Sequence, residues 1–251
     1  METQLFVGNA LADLVRLDFS QQLGIRHQYQ NVGIVSLSYL FSTIPGEVWE
    51  DPFQTGSPRS RTDRDSQGLR LNWDNIYNSP FGLQYSYRKV SVDNELSGAS
   101  LLASNELSPQ QVKSLSREGH IHQIELVSIH QIADGHTVIP QFNYTRFDND
   151  GEATAANAYQ AQLSYLFQKN QYSFLLSPLI NHRSYDEINP IFDDKADTTT
   201  FGISGSVLAR ELFWDPNIEL LFGIAWVKGS SDINFYDSEI FASNLSLLYR
   251  F

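Results

Sequence analysis

The chain has 251 residues, no cysteine, and 29 acidic against 17 basic side chains, for a formal net charge of −12. The lack of cysteine excludes a disulfide framework and thiolate metal sites, and the acidic balance argues against a general nucleic-acid binder. Mean hydropathy is −0.29, and the longest apolar run, residues 220–227, is far short of the ~18 residues that a transmembrane helix needs.

That hydropathy test is blind to a membrane β-barrel, whose outward apolar residues alternate with inward polar ones. Met1-Glu2-Thr3 reads as a start methionine set before a mature N-terminus, so a secretory signal is expected to have been removed. Residues 3–9 alternate like a short strand, with Leu5 and Val7 set between Gln4, Phe6 and Gly8. Val7, Leu11 and Leu14 also lie at helical spacing, so an amphipathic helix over 4–15 competes with the strand. Residues 15–29 are clearer. Val15, Leu17, Phe19, Leu23, Ile25 and Tyr29 share one face, and Arg16, Asp18, Ser20, Gln22, Gly24 and Arg26 share the other. After a break at 30–33, Val35, Leu37, Tyr39 and Phe41 alternate with Ser36 and Ser38.

Residues 43–67 form a polar segment with three prolines and the run RSRTDRD, read as a loop. The strand 68–77 sets Leu69, Leu71, Trp73 and Tyr77 against Arg70, Asn72 and Asp74; the turn Asn78-Ser79-Pro80 follows. In 81–91, Phe81, Leu83, Tyr85 and Tyr87 oppose Gln84, Ser86 and Arg88. A second long segment, 92–117, holds Ser108-Pro109, an N-cap followed by proline at the first helical position, which predicts a short helix to about residue 115. The strand 119–132 lacks clean alternation, 133–136 is a hairpin turn, and 137–147 alternates again.

The strands 156–167 and 172–184 follow an acidic loop at 148–155. Pro178 predicts a bulge or weak pairing within the second of them. An acidic loop at 185–197, strands 198–210 and 217–228 and a loop at 229–238 lead to the last strand, 239–251. There Phe251, Tyr249, Leu247, Leu245 and Phe241 share one face, and Arg250, Ser246, Asn244 and Ala242 the other. Short connections (30–33, 78–80, 133–136, 168–171, 211–216) alternate with long ones (43–67, 92–117, 148–155, 185–197, 229–238). Short periplasmic turns and long extracellular loops are the rhythm of outer-membrane barrels.

The expectation is therefore an all-β protein: one domain over 1–251, a closed antiparallel transmembrane β-barrel of twelve strands. Ten strands with the N-terminal segment folded into the lumen is the alternative. In such a barrel Arg16, Asp18, Arg26, Arg70, Asp74, Arg88, Arg183, Arg210, Glu219 and Arg250 lie on polar strand faces and would line the lumen. They would make either a charged constriction selecting anionic or zwitterionic solutes or a lumen closed by Arg–carboxylate pairs.

Asn244, Ser246, Leu247, Tyr249 and the terminal Phe251 resemble the C-terminal assembly signal of Gram-negative outer-membrane β-barrels, with Ser246 where that signal usually has glycine. With the chain length and strand rhythm they also resemble the solitary autotransporter-type barrels. The resemblance implies the bacterial outer membrane with a periplasmic C-terminus. It further implies outer-membrane lipid, lipopolysaccharide and the barrel-assembly machinery as partners.

Other chemistry is weaker. His120 and His122 lie two apart on one strand and suit either a metal or plain polar roles. His182, Ser184 and Glu187 contain a nucleophile, a base and an orienter, weakly resembling outer-membrane lipid A deacylases, but flanking residues of that family are missing. Asp193, Asp194 and Asp197 lack EF-hand spacing. Arg59, Arg61 and Arg64 could meet lipopolysaccharide phosphates from an external loop. No nucleotide or dinucleotide fingerprint is present, and neither a cofactor nor a metal is expected. The function expected is a translocator-like barrel or small-solute channel with a narrow, Arg-lined lumen. The alternatives are an outer-membrane lipid hydrolase and a structural or surface-binding barrel with a closed lumen.

Overall fold

The computed structural model of this chain describes residues 3–13, 18–42, 46–56, 58–211 and 217–249. The strands are β1 (Thr3–Asp13), β2 (Asp18–Tyr29), β3 (Gly33–Phe41), β4 (Gly46–Trp49), β5 (Arg61–Asp74), β6 (Phe81–Val92) and β7 (Gly119–Ser128). After them come β8 (His130–Ala133), β9 (His136–Asn149), β10 (Ala156–Lys169), β11 (Tyr172–Tyr185), β12 (Thr198–Arg210), β13 (Ile218–Ser231) and β14 (Ser238–Tyr249). Two five-residue helices, α1 (Ala99–Ala103) and α2 (Pro109–Lys113), lie between β6 and β7.

All fourteen strands belong to one antiparallel sheet. Its path runs β1-β2-β3-β5-β6-β7-β9-β10-β11-β12-β13-β14, with β4 beside β5 and β8 beside β9. Short turns join β2 to β3, β5 to β6 and β10 to β11. Asn31, Asn75, Asn78 and Asn170 take positive φ in those turns, a conformation that asparagine tolerates better than most residues.

The helical reading of 4–15 is corrected: residues 3–13 form β1, in register with β2 from Thr3↔His27 to Leu11↔Phe19, with a shift before Asp13↔Asp18. Gly8 and Asn9 are poor in a helix interior, whereas pairing with β2 satisfies the backbone and aligns Leu5 and Val7 with Ile25 and Leu23. Residues 61–65, read as loop, open β5, and 61–64 pair with β4, with Trp49↔Arg61 and Glu47↔Asp63 in register. Charge hid that strand, since its residues carry no apolar alternation. The bulge expected at Pro178 is missing on the β12 side, where the register is unbroken through Pro178↔Ile203. The stretch 119–132 breaks at Ile129 into β7 and β8.

The chain divides into two compact units: Met1–Glu125, Tyr144–Ala158 and Ser184–Ala196 in the first, and Leu126–Asn143, Tyr159–Arg183 and Asp197–Phe251 in the second. In the first, Leu23, Ile25, Leu37, Tyr39, Leu69, Leu71, Leu83 and Tyr85 are 40–54% exposed, while Ser36, Ser38, Ser66, Ser86 and Arg88 on the opposite strand face are at most 6% exposed. In the second, Phe142, Leu163, Phe174, Leu176, Ile180, Phe201, Ile203, Phe222 and Ile224 are exposed, while Asn143, Ser164, Ser173, Ser177 and Glu219 are buried. This is the reverse of a water-soluble sandwich, in which alternation puts apolar residues inside.

Candidate functional site

The polar face of the first unit is a lattice set by register. Gly24, Ser38, Arg70 and Ser86 stand in one cross-strand row, Arg26, Ser36, Asn72 and Gln84 in the next. Arg88 faces Gly68 across β5 and β6 and is 4% exposed. Arg70 Nη1 donates to Gln22 Oε1 at 3.4 Å, Asn72 Nδ2 to Ser36 Oγ at 3.1 Å, and Ser86 Oγ to Gln123 Oε1 at 3.3 Å. Arg26 Nε donates to Gln4 Oε1 at 2.9 Å. Asp74, exposed at the end of β5, lies in the field of Arg26. Arg70 interacts electrostatically with Arg88 and Glu125.

In the second unit, Arg210 and Glu219 are directly opposed on β12 and β13. Their Nε and Oε1 lie 3.9 Å apart, and Arg210 Nη1 donates to Ser173 Oγ at 3.2 Å. The hydroxyls of Ser164 and Ser177 bond at 2.7 Å. Arg183 is half-buried on the polar face of β11. Arg16 and Arg250 lie outside the described residues, as does the side chain of Asp18. The expected constellation thus appears as separate groups, each held by residues on neighbouring strands.

Sequence reasoning missed a folded loop module in the first unit. Its apolar cluster is Leu107, Leu115 and Ala153, packed by Phe53, Leu101, Val112 and Ile191. Asp51, 7% exposed, ties two loops together. Its Oδ1 accepts from the amides of Phe53 and Gly98, each at 3.0 Å, and its Oδ2 from the Ser100 amide at 3.0 Å and hydroxyl at 2.6 Å. Gly98 has φ +84, and a Cβ there would stand 2.9 Å from Leu115 Cδ1. Burial pushes the Asp51 carboxyl pKa up, but these hydrogen bonds, led by the Ser100 hydroxyl, outweigh it and leave the pKa below its ordinary value.

Arg117 makes a second clamp, with Nε 2.8 Å from Glu95 Oε2 and Nη2 donating to the carbonyls of Trp49 at 2.9 Å and Glu50 at 3.2 Å. Arg146 donates to both carboxylate oxygens of Asp186, at 2.9 and 2.7 Å. Lys195 Nζ donates to the Asp186 carbonyl at 2.7 Å. The Arg146 hydrogen bond is the main reason the Asp186 carboxyl lies below its usual range. Ser108 caps α2 in a capping box with Gln111, as the Ser-Pro signal predicts. Beside α2 lies an open cleft of about 640 Å³ that includes Gln111, Lys113, Asp150, Glu152 and Glu187 in its lining.

The remaining candidates find ordinary partners. His120 and His122 bond through Nδ1 to the hydroxyls of Tyr87 and Tyr85, at 2.8 and 2.9 Å. His182 Nδ1 lies 3.0 Å from Thr199 Oγ1. The guanidinium groups of Arg59 and Arg61 lie 4.4 and 4.9 Å from the Trp49 ring centre, and Arg61 pairs with Glu47 at 2.6 Å. Asp194 Oδ1 accepts from the Lys195 amide. Among the described residues no group of three or more His, Asp or Glu is placed to hold a metal ion. Of the terminal signal residues, Leu247 and Tyr249 are exposed on one face of β14 and Asn244 and Ser246 lie on the other; Phe251 lies outside the described residues.

The sequence profile of a family described as "Protein of unknown function (DUF2860)" matches residues 1–250. No curated protein matches the chain. Among solved structures, LpxR from Salmonella typhimurium is similar at 8% identity, with 93% of this chain and 88% of that chain covered and a TM-score of 0.46. The outer membrane channel DcaP of Acinetobacter baumannii is similar at 8% identity, covering 93% of this chain and 63% of that chain, TM-score 0.49. The siderophore receptor PiuA from Acinetobacter baumannii matches at 12% identity, covering 98% of this chain and 45% of that chain, TM-score 0.31.

Proposed function

We propose, for a chain that belongs to the DUF2860 family, that it is an integral outer-membrane β-barrel of a Gram-negative bacterium, serving as a small-solute channel with a narrow lumen lined by arginine. The inversion of the strand faces carries this reading. A soluble monomer rarely leaves apolar patches beyond a few hundred Å² exposed, yet in both units whole rows of Leu, Ile, Phe and Tyr face outward while serines are buried, together with Arg88 in the first unit and Glu219 in the second.

Strand length supports the same reading. Each of the twelve strands on the main path has 9–14 residues, against 4 for β4 and for β8, and a tilted strand needs about 9–11 residues to cross a bilayer. Aromatic clusters flank the short turns: Trp73 with Tyr77 in the first unit, and His136, Phe167 and Phe174 in the second. Amphipathic rings favour the membrane–water boundary. Open sheet edges are not tolerated in hydrocarbon, which is why the reading is of a closed barrel, with its C-terminus periplasmic.

The loop module favours a narrow, largely occluded channel over a passenger-exporting translocator, because its apolar cluster and the Asp51 and Arg117 clamps tie the long loops into a folded body. Lipid hydrolysis has no comparable support, since His182 engages Thr199. The test is refolding into detergent micelles, followed by conductance in planar bilayers. The reading expects a β-rich species whose gel mobility changes on heating, with small, anion-preferring conductance. A monodisperse monomer in plain buffer would refute the barrel, and a wide cation-selective pore would refute the arginine-lined lumen.

A further inference from the structure

The polar face of β3 and β5 leaves three buried polar atoms without a partner: Ser38 Oγ, Arg70 Nε and Asn72 Oδ1. They are neighbours. Ser38 is directly opposed to Arg70, and Asn72 is two residues along the same strand face, opposed to Ser36. Buried polar groups are normally satisfied, so each exception calls for a cause. Ser38, 2% exposed, forms the floor of the group; Arg70 and Asn72 are half-buried as whole residues, but their unpartnered atoms are closed to solvent, so an entering molecule has to displace their side chains.

The missing partners have complementary signs. Arg70 Nε lacks an acceptor, Asn72 Oδ1 lacks a donor because its amide nitrogen is engaged by Ser36, and the Ser38 hydroxyl can play either part. Among the described residues Arg70 has no carboxylate within ion-pair distance, and its electrostatic neighbours are Arg88 and Glu125. A partly buried guanidinium with no carboxylate in contact favours an anion beside it.

We propose that Ser38, Arg70 and Asn72 form a binding site for a small oxyanion that also carries a hydroxyl, of which inorganic phosphate near neutral pH is the simplest example. Unprotonated oxygens accept from Arg70 Nε and Ser38 Oγ, and the hydroxyl donates to Asn72 Oδ1. Sulfate has the same shape and no such hydroxyl at neutral pH. The site rests on the reading of this face as the interior of a barrel.

The test uses the full chain refolded in micelles, with its fold confirmed by heat-shifted gel mobility, and equilibrium dialysis against labelled inorganic phosphate at low ionic strength. The expected result is saturable binding at one site per chain, with sulfate binding more weakly. Arg70→Gln should weaken phosphate by about tenfold or more, the worth of one charge-assisted hydrogen bond. Asn72→Ala should remove the preference over sulfate, and Ser38→Ala, which adds no volume to the floor, should weaken both anions. A folded chain that binds no phosphate, or that binds it unchanged after Arg70→Gln, overturns the site alone and leaves the three atoms to water. Equal affinity for phosphate and sulfate in the unmodified protein overturns the hydroxyl requirement. A chain that does not fold in micelles overturns the barrel reading and the site with it.

Discussion

Asp51→Ala should release the loop module while leaving the strands paired. The carboxylate is buried and accepts four hydrogen bonds, three from amides and one from the Ser100 hydroxyl. A hydrogen bond to a charged acceptor contributes about 1.5–3 kcal/mol, and four on one group do not add. The donors left behind regain water only by opening the loops. The expected cost is about 3 kcal/mol, borne by local opening of the segment around α1 and α2 rather than by global unfolding. At 1.36 kcal/mol per tenfold, the open population rises by roughly a hundredfold or more. Limited proteolysis of the refolded protein reads that population directly when opening is fast relative to cleavage, so cuts within residues 93–118 should accelerate by a similar factor. Asp51→Asn should be nearly as damaging, because an amide presents one acceptor where the carboxylate presents two. Loops as protease-resistant in Asp51→Ala as in the unmodified chain would refute the clamp.

Acid should act on the same module. The Asp51 and Asp186 carboxyls are both held below their ordinary pKa, so their stabilisation is present above the unfolded value of about 4 and is lost as pH falls through the folded values. Proteolytic opening should therefore begin below about pH 4, and opening that instead sets in near pH 6 would point to histidine. Gly68→Ala should disrupt β5–β6 pairing, since its Cβ would stand 1.9 Å from the Tyr87 carbonyl oxygen and 2.8 Å from Arg88 Cα. Backbone has to move, and a cost of about 2–4 kcal/mol should lower the urea midpoint in micelles; an unchanged midpoint would contradict the close approach. Deleting residues 249–251 should impair assembly in cells, measured as the fraction reaching the surface, and normal surface levels would count against an assembly signal there.

The alternating rows were legible from the chain alone. Leu23 with Ile25 or Phe222 with Ile224 reveal a strand and its two faces because successive side chains on a strand point to opposite sides, a local property of the backbone. Asn78 in its Asn-Ser-Pro turn and the Ser108-Pro109 cap were legible for the same local reason, whereas Asn75, read as part of the strand 68–77, stands in the turn after Asp74. The strand 61–65 was not, because RTDRD has no apolar residue to mark a face and is held by Trp49 and Glu47 on β4. Which polar atoms meet was likewise beyond the sequence. Asp51 finds Gly98 47 residues away, and Arg117 reaches Trp49 across 68 residues. The row Gly24–Ser38–Arg70–Ser86 exists only once register has aligned β2, β3, β5 and β6. Periodicity identifies the face on which Arg70 lies; pairing between strands distant in sequence decides what stands beside it, and so leaves its Nε, with Ser38 Oγ and Asn72 Oδ1, unpartnered.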